Sequence, residues 1–120
     1  MMDTNLLGAV GESLAAQYYR KNGYEVLDNN YHTRQGELDV ILQKDGIIVV
    51  LEVKTRSQNS IAAPREFVTA AKQRRIMLAA AAYLQEKGLT EHAVRFDVAA
   101  VTILGPGKAD IHCIENAFTA

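Results

Sequence analysis

A chain of 120 residues, at about 100–150 residues per domain, predicts a single domain spanning 1–120. With 48% apolar and 22% charged residues it has a globular balance that argues against disorder, and no run approaches the roughly 20 apolar residues of a membrane span. The formal net charge of −1 does not exclude a nucleic-acid partner, because whole-chain charge hides where the charges sit, whereas a single cysteine, Cys113, excludes an intrachain disulfide and a cysteine-based zinc cluster.

The N-terminal Met1-Met2-Asp3-Thr4 lacks the basic and apolar regions of a secretory signal, so a reducing, cytoplasmic location with no membrane partner is expected. Asp3 or Thr4 can cap a helix in which Leu7, Val10, Leu14 and Tyr18 recur at helical spacing until Gly23 offers a stop. Tyr24 to Asp28 alternates weakly and reads as a short strand entering a turn at Asn29-Asn30. Leu38 to Leu42 and Ile47 to Val53 read as strands joined by a turn with an Asp45-Gly46 signal. Ser57 to Pro64 is small and polar and reads as a loop beside the strand end, a place where substrate contacts often sit. Thr69 can cap a second helix running to Gly88, whose alanines permit close packing on a sheet. Val94 to Val98 alternates and continues to Ile103; Gly105-Pro106-Gly107 then turns the chain into Ile111 to Ile114. The order α-β-β-β-α-β-β, with a helix on each side of a mixed sheet, predicts a three-layer α/β domain.

The charges are unevenly spread. Glu37, Asp39 and Glu52 stand upstream of a basic segment holding Lys54, Arg56, Arg65, Lys72, Arg74 and Arg75. Carboxylates hold a cation and Lys or Arg meets phosphate, so this order suits a metal-dependent phosphodiester site. A solvated helix face is the plainer alternative for the basic segment taken alone.

Strand alternation puts Glu37 and Asp39 on one face of their strand, and Glu52 and Lys54 on one face of the next. If the registers align, Asp39 and Glu52 can place oxygens about 2.1 Å from one Mg²⁺, which keeps several waters and binds substrate phosphate. The Val53 carbonyl could add a ligand, and Lys54 could orient the attacking water or stabilise the transition state. An exposed ion pair at a strand end is the competing explanation of Glu52 and Lys54.

Gly11-Glu12, Gly36-Glu37-Leu38-Asp39-Val40-Ile41 and Glu52-Val53-Lys54-Thr55-Arg56 resemble the motifs of the YraN-like uncharacterised bacterial proteins, a branch of the PD-(D/E)XK nuclease superfamily. The resemblance runs from the first helix to Phe96-Asp97 and implies a restriction endonuclease-like fold, similar also to archaeal Holliday-junction resolvases. By that resemblance Asp39 and Glu52 are metal ligands, Lys54 is the catalytic lysine, and Glu12 is a further acidic member of the site. Lys72 or Gln73 would complete it. Leu38 stands where the superfamily's name expects proline, a position that supplies no ligand but leaves substrate preference open.

The activity expected is therefore that of an endonuclease using Mg²⁺ or Mn²⁺ on DNA, with branched or repair intermediates among the candidate substrates. The alternative is a non-catalytic nucleic-acid-binding module that keeps the fold. Arg56, Lys72, Gln73, Arg74 and Arg75 are the candidate nucleic-acid contacts. A homodimer is the expected assembly for cutting two strands of a symmetric substrate. His32, His92 and His112 lack metal-ligand spacing and receive no role.

Overall fold

The computed structural model describes residues 4–58 and 68–119. Its elements are α1 (Thr4–Lys21), β1 (Glu25–His32), β2 (Glu37–Lys44), β3 (Ile47–Ser57), α2 (Ala70–Lys87), β4 (Ala93–Gly105) and β5 (Lys108–Phe118), in the order read from the sequence. The strands lie side by side as β1-β2-β3-β4-β5, with β3 and β4 parallel and every other pair antiparallel.

Local chemistry explains these elements. Asp45 and Gly46 both adopt positive φ, 52° and 78°, as the tight hairpin turn between β2 and β3 requires. Parallel β3 and β4 need a crossover, and α2 supplies it. The Thr69 hydroxyl accepts from the Lys72 amide at 3.2 Å to start α2, and Gly88 ends it at φ 69°. Among the described residues, no helix is long and apolar enough to cross a membrane.

The sheet is covered on both faces, which accounts for the unbroken apolar run of β3. On one side Ile41, Ile48, Val50, Phe96 and Val98 pack with Ile76, Ala79, Ala80 and Tyr83 of α2. On the other Val40, Leu42, Val49, Leu51, Ala99 and Val101 pack with Ala15, Ala16 and Tyr19 of α1. Asp97 is fully buried beneath α1, accepting from the Tyr19 hydroxyl at 2.8 Å, from Arg95 Nε and Nη2 at 2.9 Å each, and from the Asn116 amide at 2.9 Å. That set of donors compensates the desolvation of a buried carboxylate.

Some details differ from the sequence reading, and β5 runs from Lys108 to Phe118 where Ile111 to Ile114 was expected. Asn29-Asn30 does not turn the chain: β1 pairs on to His32↔Glu37, and the turn falls at Thr33–Gly36. Asn30 does take a left-handed φ of 50°, the conformation that made asparagine a turn signal, but spends it inside a strand. β3 does not stop at Val53 but follows β4 to Ser57↔Ile103. The Gln58 amide still reaches the Ile103 carbonyl, and the rest of the expected loop, with Arg65, lies outside the described residues.

Candidate active site

The site begins where β2 and β3 part. Their ladder runs from Lys44↔Ile47 to Val40↔Leu51 and ends there, although β3 continues. In the same stretch the alternation of β2 breaks: Leu38 packs with the α2-side core and Val40 with the α1-side core, two residues that strict alternation would put together. Asp39 sits at the break. Its carboxylate accepts from the Val53 amide at 2.8 Å, replacing the backbone partner that β2 no longer offers. In a strand the carbonyl projects from the same edge as its own amide, so the Val53 carbonyl shares this gap with Asp39.

Glu52 follows Ile48 and Val50 on the α2 side of β3 and is buried, its side chain 7% exposed. Lys72 on the first turns of α2 meets it at 2.7 Å. Asp39, Glu52 and Lys72, with Gly36, Glu37, Arg75 and Ile76, line an open cleft of about 250 Å³.

Its electrostatics are those of two acids held together. Burial raises the Asp39 carboxyl above its ordinary value, against the Val53 hydrogen bond and the Lys72 charge, which lower it. Burial first and the Asp39 charge second push Glu52 up to about 7, although Lys72 and Lys54 oppose the rise. Burial pulls Lys72 down, but its hydrogen bond to Glu52 and the charges of Glu52 and Asp39 outweigh that and leave it raised. Glu12, on α1, is raised by burial and by the Asp39 charge, with a hydrogen bond from the Asn30 side chain working against both.

The sequence-derived residues thus divide. Asp39, Glu52, Val53 and Lys72 come together, and the Lys54 charge acts on Glu52. Glu12 feels Asp39 from α1, but among the described residues no three His, Cys, Asp or Glu side chains are gathered as a metal cluster. Gln73 donates to the Val68 carbonyl at 2.8 Å and so secures the start of α2. Arg74 and Arg75 are exposed, and Arg56 is half-buried on β3. His32 pairs with Glu37 at 3.1 Å beside the Thr33–Gly36 turn.

Sequence reasoning missed why glycine precedes Glu12. Gly11 is buried where α1 crosses β3, and a Cβ there would lie 1.8 Å from the Thr55 hydroxyl oxygen and 2.8 Å from the Thr55 Cβ. The signal was present as the Gly11-Glu12 pair, but the partner is 44 positions away and no local rule finds it.

The raised Glu52 has a consequence for stability. Between the ordinary glutamate value of 4.5 and about 7, the unfolded chain has released this proton while the folded chain retains it. The unfolded state then binds fewer protons, so stability falls as pH rises through that window. The raised Lys72 loses its contribution only at higher pH, above 10.5. In chelator, the wild-type chain should lose up to about 3 kcal/mol relative to Glu52→Gln between pH 4.5 and 8, measured by urea unfolding. A pH-independent difference between the two would contradict it.

These features define a three-layer α/β protein of restriction endonuclease-like architecture, with an acidic pair, Glu52 buried and Asp39 half-buried, where its β2–β3 hairpin opens. The chain belongs to Uncharacterised protein family UPF0102, which matches residues 11–101. It is 46% identical to the UPF0102 protein of Alkaliphilus metalliredigens, over 93% of this chain and 96% of that relative. It is 42% identical to a UPF0102 protein of Geobacter sulfurreducens, over 94% of this chain and 88% of the relative. To one from Rhodococcus jostii it is also 42% identical, over 93% and 95%.

Proposed function

We propose that this chain is a metal-dependent endonuclease that hydrolyses DNA phosphodiester bonds, with branched DNA among its substrates. The observation that carries the reading is the pairing of the half-buried Asp39 with the buried Glu52 in one cleft, both raised by desolvation and with Lys72 as the ion-pair partner of Glu52. An ordinary surface ion pair has no need to crowd two acids out of water.

The donors fit Mg²⁺ or Mn²⁺. Such a cation takes oxygen ligands, commonly one or two carboxylates, and fills its remaining positions with water and phosphate. Asp39, Glu52 and the Val53 carbonyl are the groups that would hold it, and an open cleft leaves room for the rest. When bound, the cation supplies a lowered pKa for a coordinated water and a counter-charge for the phosphate.

The chain's own groups divide the remaining work. The Val53 amide fixes Asp39, and Lys72 fixes Glu52, so neither carboxylate must reorganise on binding. Lys54, which shares the strand with Glu52, would orient the attacking water or stabilise charge on phosphate as the bond to the leaving oxygen breaks. Arg56, Arg74 and Arg75 would meet the DNA backbone without reading bases.

Calorimetric titration with Mg²⁺ or Mn²⁺ tests the reading. Uptake by the wild type and its loss in Asp39→Ala are expected; no uptake at millimolar cation would favour a binding module that retains the fold. The basic residues make a separate prediction. An Arg74→Ala, Arg75→Ala double variant should weaken binding to all DNA sequences alike and reduce the salt slope by about one for each phosphate no longer neutralised. Unchanged affinity and slope would remove both from the interface.

A further inference from the structure

The acidic floor of the cleft presents a problem for any phosphate. Two carboxylates repel it, and Lys72, the cation nearest the floor, is already engaged with Glu52 at 2.7 Å. Without a bound cation, further attraction must come from the rim. One side of the rim is α2, through Arg75; the other is the start of β2, through Gly36 and Glu37. The two sides touch, since a Cβ on Gly36 would lie 3.4 Å from the Arg75 Cβ.

The segment leading into Gly36 is a tight turn built around one hydroxyl. The Thr33 amide donates to the Gly36 carbonyl at 2.8 Å and the Thr33 hydroxyl donates to the same oxygen at 2.9 Å. The amides of Gln35 and Gly36 each donate to that hydroxyl oxygen at 3.1 Å. Arg34 stands in this turn, exposed and two positions from Gly36, hence within about 7 Å of the rim along the chain. Among the described residues neither Arg34 nor Arg75 has an ion-pair partner.

We propose that Arg34 and Arg75 form a two-sided phosphate clamp at the mouth of the acidic cleft, holding the backbone phosphates on either side of the one presented to Asp39 and Glu52. Arginine suits the task because its planar fork meets phosphate oxygens two at a time. The Thr33 hydrogen bonds hold the turn before substrate arrives, so little ordering is left for binding to impose. The site recognises a sugar-phosphate backbone rather than free nucleotides, since the clamp spans more than one phosphate. This inference rests on the nuclease reading above and extends it to a residue on the opposite wall from the basic helix.

The test is binding of a short fluorescent DNA duplex in chelator, which needs no cleavage. Arg34→Gln should weaken binding about fivefold or more at physiological salt and lower the salt slope by about one. Thr33→Val, which removes no charge, should weaken binding while leaving the slope unchanged. Lys108→Gln, at the start of β5, should behave as wild type. Wild-type affinity and slope in Arg34→Gln, with the wild-type chain binding DNA, would overturn the clamp and leave the nuclease reading standing. No binding by the wild-type chain would overturn both.

Discussion

Asp39→Ala and Glu52→Ala should each lose divalent-cation uptake and reduce DNA cleavage to the level measured in chelator, because each removes one of the two carboxylates proposed to hold the cation. Lys54→Ala should fail differently. Taking a cation away from an acidic pocket leaves metal affinity intact or strengthens it, and the loss appears in the chemical step, about 10²–10³-fold as for other groups that act on transition-state charge. All three variants should fold. Burial raises both carboxyls and the Asp39 charge raises Glu52 further, so deleting either one relieves desolvation or repulsion in the metal-free state. Single-turnover cleavage and calorimetry on the same preparations separate the two patterns. Cutting by Lys54→Ala at the wild-type rate would refute its role, whatever the carboxylate variants did.

Gly11→Leu should cost the chain its fold. A helix interior ordinarily gains about 1 kcal/mol when glycine is replaced by alanine. Here even one carbon meets the Thr55 side chain, and turning the hydroxyl aside leaves the Thr55 Cβ at 2.8 Å. The helix must then lift from β3, opening the α1-side core that Ala15, Ala16 and Tyr19 close. Overpacking of this kind costs about 1–3 kcal/mol for the smallest insertion and more for a larger one. Gly11→Ala should therefore unfold at lower urea than wild type, and Gly11→Leu should show no cooperative transition. Combining Gly11→Ala with Thr55→Gly should recover part of the loss, since the clash is pairwise. Additive losses in the double variant would show that Gly11 matters for another reason. Glu12 is carried on the same turn of α1, so the contact that fixes the helix also fixes the distance between Glu12 and Asp39.

How much of this was legible in the sequence follows from the range of each interaction. The hairpin at Asp45-Gly46 and both ends of α2, at Thr69 and Gly88, were readable because turn and cap chemistry is local. The nearness of Asp39 and Glu52 followed from that hairpin, since a turn of known length fixes which residues stand opposite. Alternation within β2 did not hold through Asp39. The strand breaks stride there, and the carboxylate projects to the Val53 amide instead of simply lying on Glu37's face. Asn29-Asn30 misled for a related reason: a left-handed residue signals a turn in isolation, and here the ladder carries Asn30 without a shift of register, from Asn29↔Val40 to Tyr31↔Leu38. The Lys72–Glu52 pair, the Gly11–Thr55 contact and the burial of Asp97 under Tyr19 join residues far apart in the chain. Tertiary packing alone decides such contacts.

The central claim, that Asp39 and Glu52 serve metal-dependent hydrolysis of DNA, is met most directly by one cleavage assay. Purified wild-type chain is incubated with linear duplex, single-stranded and four-way branched DNA in Mg²⁺, in Mn²⁺ and in chelator, beside Glu52→Gln. Nicked or cut product that requires the divalent cation, and that disappears in Glu52→Gln, is the result expected. Intact DNA of every form with both cations, from a chain shown to be folded, would contradict it.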